Sequence, residues 1–270
     1  MPQANAPAVD AQVDWGEADV VLAGQRTRVF LFGMRACWSG AAYWEAFPTL
    51  SHTAFLEGHV RAFAWFGGVF ETIRYDNLGA AVKKVLRAHR REQTDRFVAL
   101  RSHYLFESEF TTPGIQGAYE KGGIEGEVGR FRRRHFVPVP SVRRLGELNE
   151  LLEACLEHDL GRRIDGRPDT VSAMLWTERG RLARLPLERF TAAEHTSVRV
   201  DAKSLVTVRQ RRYSVPTRLV GLRVSVEIDA HTVRHVFVSA GSGDLTTYRD
   251  ELVRVPSAGG DASLDRKSVV

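Results

Sequence analysis

Residues 11–47 read AQVDWGEADVVLAGQRTRVFLFGMRACWSGAAYWEAF. Three β-rich runs stand out, AQVDWGEADVVL, RTRVFLFGMRACW and AAYWEAF, parted at Ala23-Gly24 and Ser39-Gly40 by residues that favour turns. Sequential strands joined by short turns make an antiparallel meander. Ser51 then stands as an N-cap before HTAFLEGHVRAFAWFGG, where Phe55, Val60, Phe63 and Phe66 recur at roughly helical spacing, and FETIRYDN follows as a strand. Strand, helix, strand implies a parallel crossover. Beyond it lie a helical pattern at 92–102, a short strand in HYLFESEF, the turn TTPG and a helix through YEKGGIEGEVGRFRRR. A meander followed by alternating helices and strands is an α/β arrangement on a mixed sheet with flanking helices, of which ribonuclease-H-like folds are the best-known example.

After Pro138 and Pro140 the texture changes. VRRLGELNELLEACLEHDL sets Leu145, Leu148, Leu152 and Cys155 on one helical face, with Ser141 as its expected N-cap. From Ser197 to about Arg249 the runs alternate and are rich in Val, which points to a small all-β barrel or sheet, the barrel being the expected form. The tail SAGGDASLDRKSVV has no period and is expected to be disordered. These shifts divide the chain into a core at 1–137, a helical linker at 138–195, a β domain at 196–250 and a tail at 251–270.

A chain of 270 residues, 43% apolar and 26% charged, is long enough to bury a core and is neither fibrous nor globally disordered. Two cysteines, Cys37 and Cys155, are too few for a disulfide framework or a zinc site of Cys/His spacing and fit a reducing compartment. The N-terminus lacks the basic start and apolar core of a signal peptide, and no 18-residue uncharged apolar run occurs, so the expectation is a cytoplasmic protein with no membrane partner.

Three acidic residues occupy unexpected places. Asp14 lies within a β-run, where aspartate is a poor strand former and a lone buried charge needs compensation. Asp76 ends the run FETIRY, at the C-terminal strand edge where ligands collect in open α/β sheets. Glu125 borders the helical stripe Ile124, Val128 and Phe131 and can face that edge. Gathered together, three carboxylates repel one another unless a divalent cation neutralises them, and hard oxygen ligands select Mg²⁺ or Mn²⁺. The same residues also read as solvated surface charges, as an Asp76-Asn77 turn, and as a Lys121/Glu125 helix pair.

Lys and Arg number 38 against 33 Asp and Glu, a net +5 that favours a polyanionic partner. Arg130, Arg132, Arg133, Arg134, Arg143 and Arg144 crowd residues 128–144 with no acidic residue between 128 and 144, and Lys121 falls on the Glu125 side of the helix. Cations beside a metal site suit a phosphodiester backbone, although a solvated basic face reads the same way. In the β domain, Arg209, Arg211 and Arg212 recur, and strand alternation places Arg209 and Arg211 on one face with Tyr213.

The blocks QVDWGE, RYDNL at 74–78 and EKGGIEGEVGRFRRRHFVP at 120–138 resemble the catalytic blocks of IstA-like insertion-sequence transposases, in the Asp-Asp-Glu, retroviral-integrase-like recombinase superfamily. LARLPLERF at 182–190 and RRYSVPTRLVG at 211–221 are similar to that family's linker and small β domain. The resemblance implies Asp14, Asp76 and Glu125 as catalytic metal ligands, with 61 and 48 residues between them. It further implies Mg²⁺-dependent DNA cleavage and strand transfer, transposon-end and target DNA as partners, a helper AAA+ ATPase, and a homo-oligomer on DNA. Family members usually begin with helix-turn-helix segments, whereas Met1 stands 13 residues before Asp14, so the expectation is a copy truncated at the N-terminus. The alternative is a catalytically silent DNA-binding remnant.

Overall fold

The structure, a computed structural model, describes residues 6–75, 90–110, 124–231, 233–238, 247–251 and 253–254, with the backbone alone for 90–94, 124–125 and 233–254. It contains two compact units, Met1–Thr191 and Ala192–Val270.

The first unit is built on the expected meander. Strand β1 (Asp10–Leu22) pairs antiparallel with β2 (Gln25–Ala36), and β2 with β3 (Ala42–Phe47). The first turn is the two-residue Ala23-Gly24, both at positive φ (49° and 82°), the hairpin geometry that matches strand twist. Helix α1 (His52–Phe66) starts on Ser51, whose side chain accepts the Ala54 N–H, and ends at Gly67 in the left-handed conformation. It carries the chain past β2 and β1 to β4 (Thr72–Tyr75), which runs parallel to β1 with Val13 opposite Tyr75. Helix α2 (Arg90–Tyr104) then leads to β5 (Glu107–Phe110), parallel to β4. The sheet order is β3-β2-β1-β4-β5, with β6 (Ser141–Val142) beside Val21 and Leu22 of β1.

Period two gives β1 two different faces. Ala11, Val13 and Trp15 join Phe32, Ile73 and Tyr75 on the face that α1 covers, where Phe32 meets Gly58 and His59. Asp10, Gln12, Asp14 and Gly16 lie on the other. That face receives α3 (Ile124–His135): Phe131 stacks on Trp44 with ring centroids 4.9 Å apart, and a Cβ on Gly16 would sit 2.8 Å from Val128 Cγ1.

The helices after Pro138 pack on this same unit. Helix α4 (Leu145–Leu160) buries Leu148, Leu152 and Leu156, and its Asn149 side chain bonds both backbone groups of Ala46 on the edge strand β3 (2.8 and 3.1 Å). Helix α5 (Val171–Arg179) directs Arg179 at the last carbonyls of α1, Trp65 O at 2.8 Å and Phe66 O at 3.0 Å. Two local expectations are corrected. Ser141 does not cap α4 but belongs to β6, because Val142 is buried beside β1; Arg144 occupies the cap position. Leu156, not Cys155, completes the buried stripe, since 148, 152 and 156 recur at intervals of four.

The second unit is all-β. Strand β7 (Glu194–Arg199) pairs with β10 (Arg223–Ile228), which continues through β11 (Val233–Val238) to β12 (Thr247–Glu251). A separate sheet joins β8 (Leu205–Val208), β9 (Arg211–Ser214) and β13 (Val253–Arg254). Val206, Val208, Tyr213, Val224, Val226 and Ile228 supply its core. Among the described residues the ladders form two open sheets and close no barrel. The tail expected to be disordered lies, from residue 255, outside the described residues.

Candidate active site

Asp14 stands in mid-strand, half-buried, opposite Gly33 of β2, and its Oδ1 accepts the Trp15 backbone N–H at 2.8 Å. Gly33 leaves room for Trp44, whose indole would lie 2.6 and 2.8 Å (Cη2 and Cε3) from any Cβ there. The sheet surface beside Asp14 is therefore walled by an aromatic ring that in turn stacks on α3. Asp76 lies outside the described residues; it follows Tyr75, the last described β4 residue, whose partner Val13 precedes Asp14. Glu125 lies in the first turn of α3, one turn before Val128, and its side chain is outside the description. Lys121 lies outside it as well. Among the described residues no three His, Cys, Asp or Glu side chains gather as a metal site.

The arginines of α3 divide into two groups. Arg130 donates to both oxygens of Glu127 (2.6 and 3.1 Å) and to Asp159 of α4 (2.7 Å). Arg162, just past α4, lies 3.0 Å from Glu127 and 3.3 Å from Asp159, and donates to Gly40 O at 2.8 Å. Arg134 and His135 Nε2 approach the other Asp159 oxygen at 3.4 and 3.3 Å. Burial alone would push both carboxyls up, but hydrogen bonds from Arg130 and the surrounding guanidinium charges hold Glu127 and Asp159 below the usual carboxylate range. Burial lowers the pKa of His135 against the pull of Asp159, which keeps the imidazole neutral at pH 7. Arg132 and Arg133 are exposed. The cluster went unread in the sequence, where the spacings of three, Glu127/Arg130 and Asp159/Arg162, were its local signs.

Arg143 and Arg144 are exposed and bound to α4 acids, Arg143 to Glu147 at 3.0 Å and Arg144 to Glu150 at 3.5 Å. Arg209 is in no strand: with Gln210 it forms the β8–β9 turn, both at positive φ (46° and 65°), and it pairs with Glu194. Arg211 and Arg212 are exposed on β9, and alternation sets Arg211, not Arg209, on the side of Tyr213. The cysteines are free, and burial pushes the Cys37 thiol up to about 11.

Residues 185–240 match the family described as Mu transposase, C-terminal domain. A transposase of Aminobacter aminovorans is 32% identical over 229 residues, 84% of this chain and 44% of that protein. The transposase for insertion sequences IS1326/IS1353 of Pseudomonas aeruginosa is 32% identical over 220 residues, 81% of this chain and 43% of that protein. The chain thus spans less than half the length of these two relatives. Among solved structures, the HTLV-2 integrase catalytic core domain in complex with magnesium is similar with a TM-score of 0.42 and 14% identity, over 62% of this chain and 96% of that one.

Proposed function

We propose that this chain, a homologue of the insertion-sequence transposases, cleaves and joins DNA phosphodiesters with Asp14, Asp76 and Glu125 as its catalytic carboxylates. The observation that carries this reading is the path of α3 across the sheet. Val128 meets β1 at Gly16, on the same face as Asp14, and Phe131 lies over Trp44 of β3. The helix therefore runs from β1 toward β3, and its preceding turn, with Glu125, extends back toward the β1–β4 seam. That seam ends, in sequence, at Asp14 and Asp76.

Three carboxylates are a hard-oxygen donor set that suits Mg²⁺ or Mn²⁺, and Asp14, Asp76 and Glu125 would hold the ion. Bound there, it would polarise the scissile phosphoryl group and ease deprotonation of the attacking hydroxyl. The chain's own residues do the rest. The Trp15 N–H holds one oxygen of Asp14, which fixes the carboxylate at the sheet surface. Arg132 lies within about 20° of Glu125 around the helix, two turns on, and is free to meet a phosphodiester entering beside that carboxylate. Arg133, Arg143, Arg144, Arg211 and Arg212 are exposed cations for further backbone contacts, which position a strand without reading its sequence. Transposon-end and target DNA, a helper ATPase and several copies of the chain complete the reading.

The test supplies purified chain with a pre-cut transposon-end duplex bearing a free 3′-hydroxyl, plasmid DNA and Mn²⁺. Joining is expected, and Asp14→Asn, Asp76→Asn and Glu125→Gln should each abolish it while DNA affinity stays within about twofold, since each removes a charge without changing size. Joining that survives any of the three would remove that residue from the assignment. Wild-type chain that binds DNA and joins none would favour the DNA-binding remnant.

A further inference from the structure

We infer that Asp159 and Arg162 are positioning residues for Glu125, acting through the ion cluster that fixes the rotation and depth of α3 on the sheet. The inference rests on the three-carboxylate reading above. Seen down α3, Val128 and Phe131 point at the sheet, while Glu127, Arg130 and Arg134 turn toward α4 and Glu125 lies on the opposite flank. A helix held along one flank transmits any rotation to the other. A turn of about 20° moves a group roughly 6 Å from the axis by about 2 Å, well beyond the ~0.5 Å tolerance of a metal or catalytic constellation.

Helix α3 is weak by its own sequence. Its sequence, IEGEVGRFRRRH, carries two glycines that weaken its helix propensity and three consecutive arginines. Among the described residues, Val128 meets the sheet at Gly16 and Phe131 stacks on Trp44. The directional restraint comes from the cluster. Glu127 and Asp159 side chains are each 9% exposed, and Arg162, at 13%, is bonded to both. Arg162 also donates to Gly40 O, in the turn between β2 and β3. Gly40 itself is at φ 71°, a conformation costly for other residues, and any Cβ there would strike Ile164. One guanidinium thus ties α3 and the end of α4 to the frame of the sheet. Buried ion pairs are a poor source of net stability; the role inferred for this cluster is to set the direction of α3, on which Glu125 depends.

The experiment uses the full chain and Mn²⁺ alone as probe, with free Mn²⁺ read by electron paramagnetic resonance and folding by near-ultraviolet circular dichroism. Glu125→Gln should weaken Mn²⁺ binding. Asp159→Asn should fold and bind Mn²⁺ roughly ten- to a hundredfold more weakly, as outer groups that orient metal ligands do. Added to Glu125→Gln, it should change affinity by less than about twofold, because the residue through which it acts is already disabled. A folded Asp159→Asn with wild-type affinity, or one whose full effect persists in the Glu125→Gln background, would overturn the inference. Should Asp159→Asn not fold, Arg162→Lys takes its place: it keeps the charge but cannot bond Glu127, Asp159 and Gly40 together, so weakened binding supports the inference and wild-type affinity overturns it. If Glu125→Gln itself leaves Mn²⁺ binding unchanged, the three-carboxylate reading fails. If Glu125→Gln weakens binding and neither positioning variant does, the positioning role alone fails.

Discussion

His59 is wholly enclosed on the α1 side of the sheet, with Nδ1 2.7 Å from Phe55 O and Nε2 3.0 Å from the Tyr75 hydroxyl. A neutral imidazole carries one proton, so Nδ1–H donates to the carbonyl and Nε2 accepts from the tyrosine. Burial pushes its pKa from 6.5 down to about 4, against the pull of the Phe55 carbonyl. The unfolded chain therefore binds this proton more readily, and the stability is present above pH 6.5 and lost as pH falls toward 4, roughly 3 kcal/mol over that window. Thermal unfolding from pH 7 to pH 4.5 should show this decline, and His59→Gln should flatten it. Gly33 is a second sensitive residue. Gly33→Ala sets a methyl against the Trp44 ring and should cost about 1–3 kcal/mol and disturb the Trp44–Phe131 stack, seen in urea unfolding and the near-ultraviolet spectrum. Asp14 was legible because an aspartate inside an apolar strand is conspicuous. Glu127 and Asp159 were not, since each is an ordinary helical acid until folding brings Arg130 to Asp159, 29 residues away, and Arg162 to Glu127.

At the scale of elements, α3 separates arginines that hold the protein from arginines that face outward. Arg130→Ala leaves two buried carboxylates short of a donor and should destabilise the fold by roughly 2–3 kcal/mol, less than a fully stranded pair because Arg162 still serves both. The double change Arg132→Ala and Arg133→Ala should leave stability within about 0.5 kcal/mol and reduce the slope of log DNA affinity against log salt by about one per lost phosphate contact. Equal destabilisation by both changes, or an unchanged slope, would dissolve this division. The meander, the α1 cap and the crossover were readable because each rests on local chemistry: alternation, Ala23-Gly24, Ser51. Ser141 misled because its strand pairing is with Val21, some 120 residues earlier, and no local signal reports that. Arg209 misled because Arg209-Gln210 takes up a turn conformation normally announced by Asn or Gly.

Over the whole molecule, a net charge of +5 is divided between two compact units, and each carries exposed arginines of its own. Among the described residues no helix is long and apolar enough to cross a membrane. The proposed site draws on three elements of the first unit: Asp14 lies in β1, Glu125 in the first turn of α3, and Asp76 follows β4 in sequence. The most direct measurement of that claim is calorimetric unfolding of the wild-type chain and of Asp14→Asn, Asp76→Asn and Glu125→Gln, each with and without saturating Mn²⁺. A site assembled only in the folded chain stabilises it by mass action, about 2.7 kcal/mol when the ion is at a hundred times its dissociation constant. The wild type should gain a clear rise in Tm, and each variant should lose most of it. Equal Mn²⁺-induced shifts in the wild type and all three variants would contradict the account.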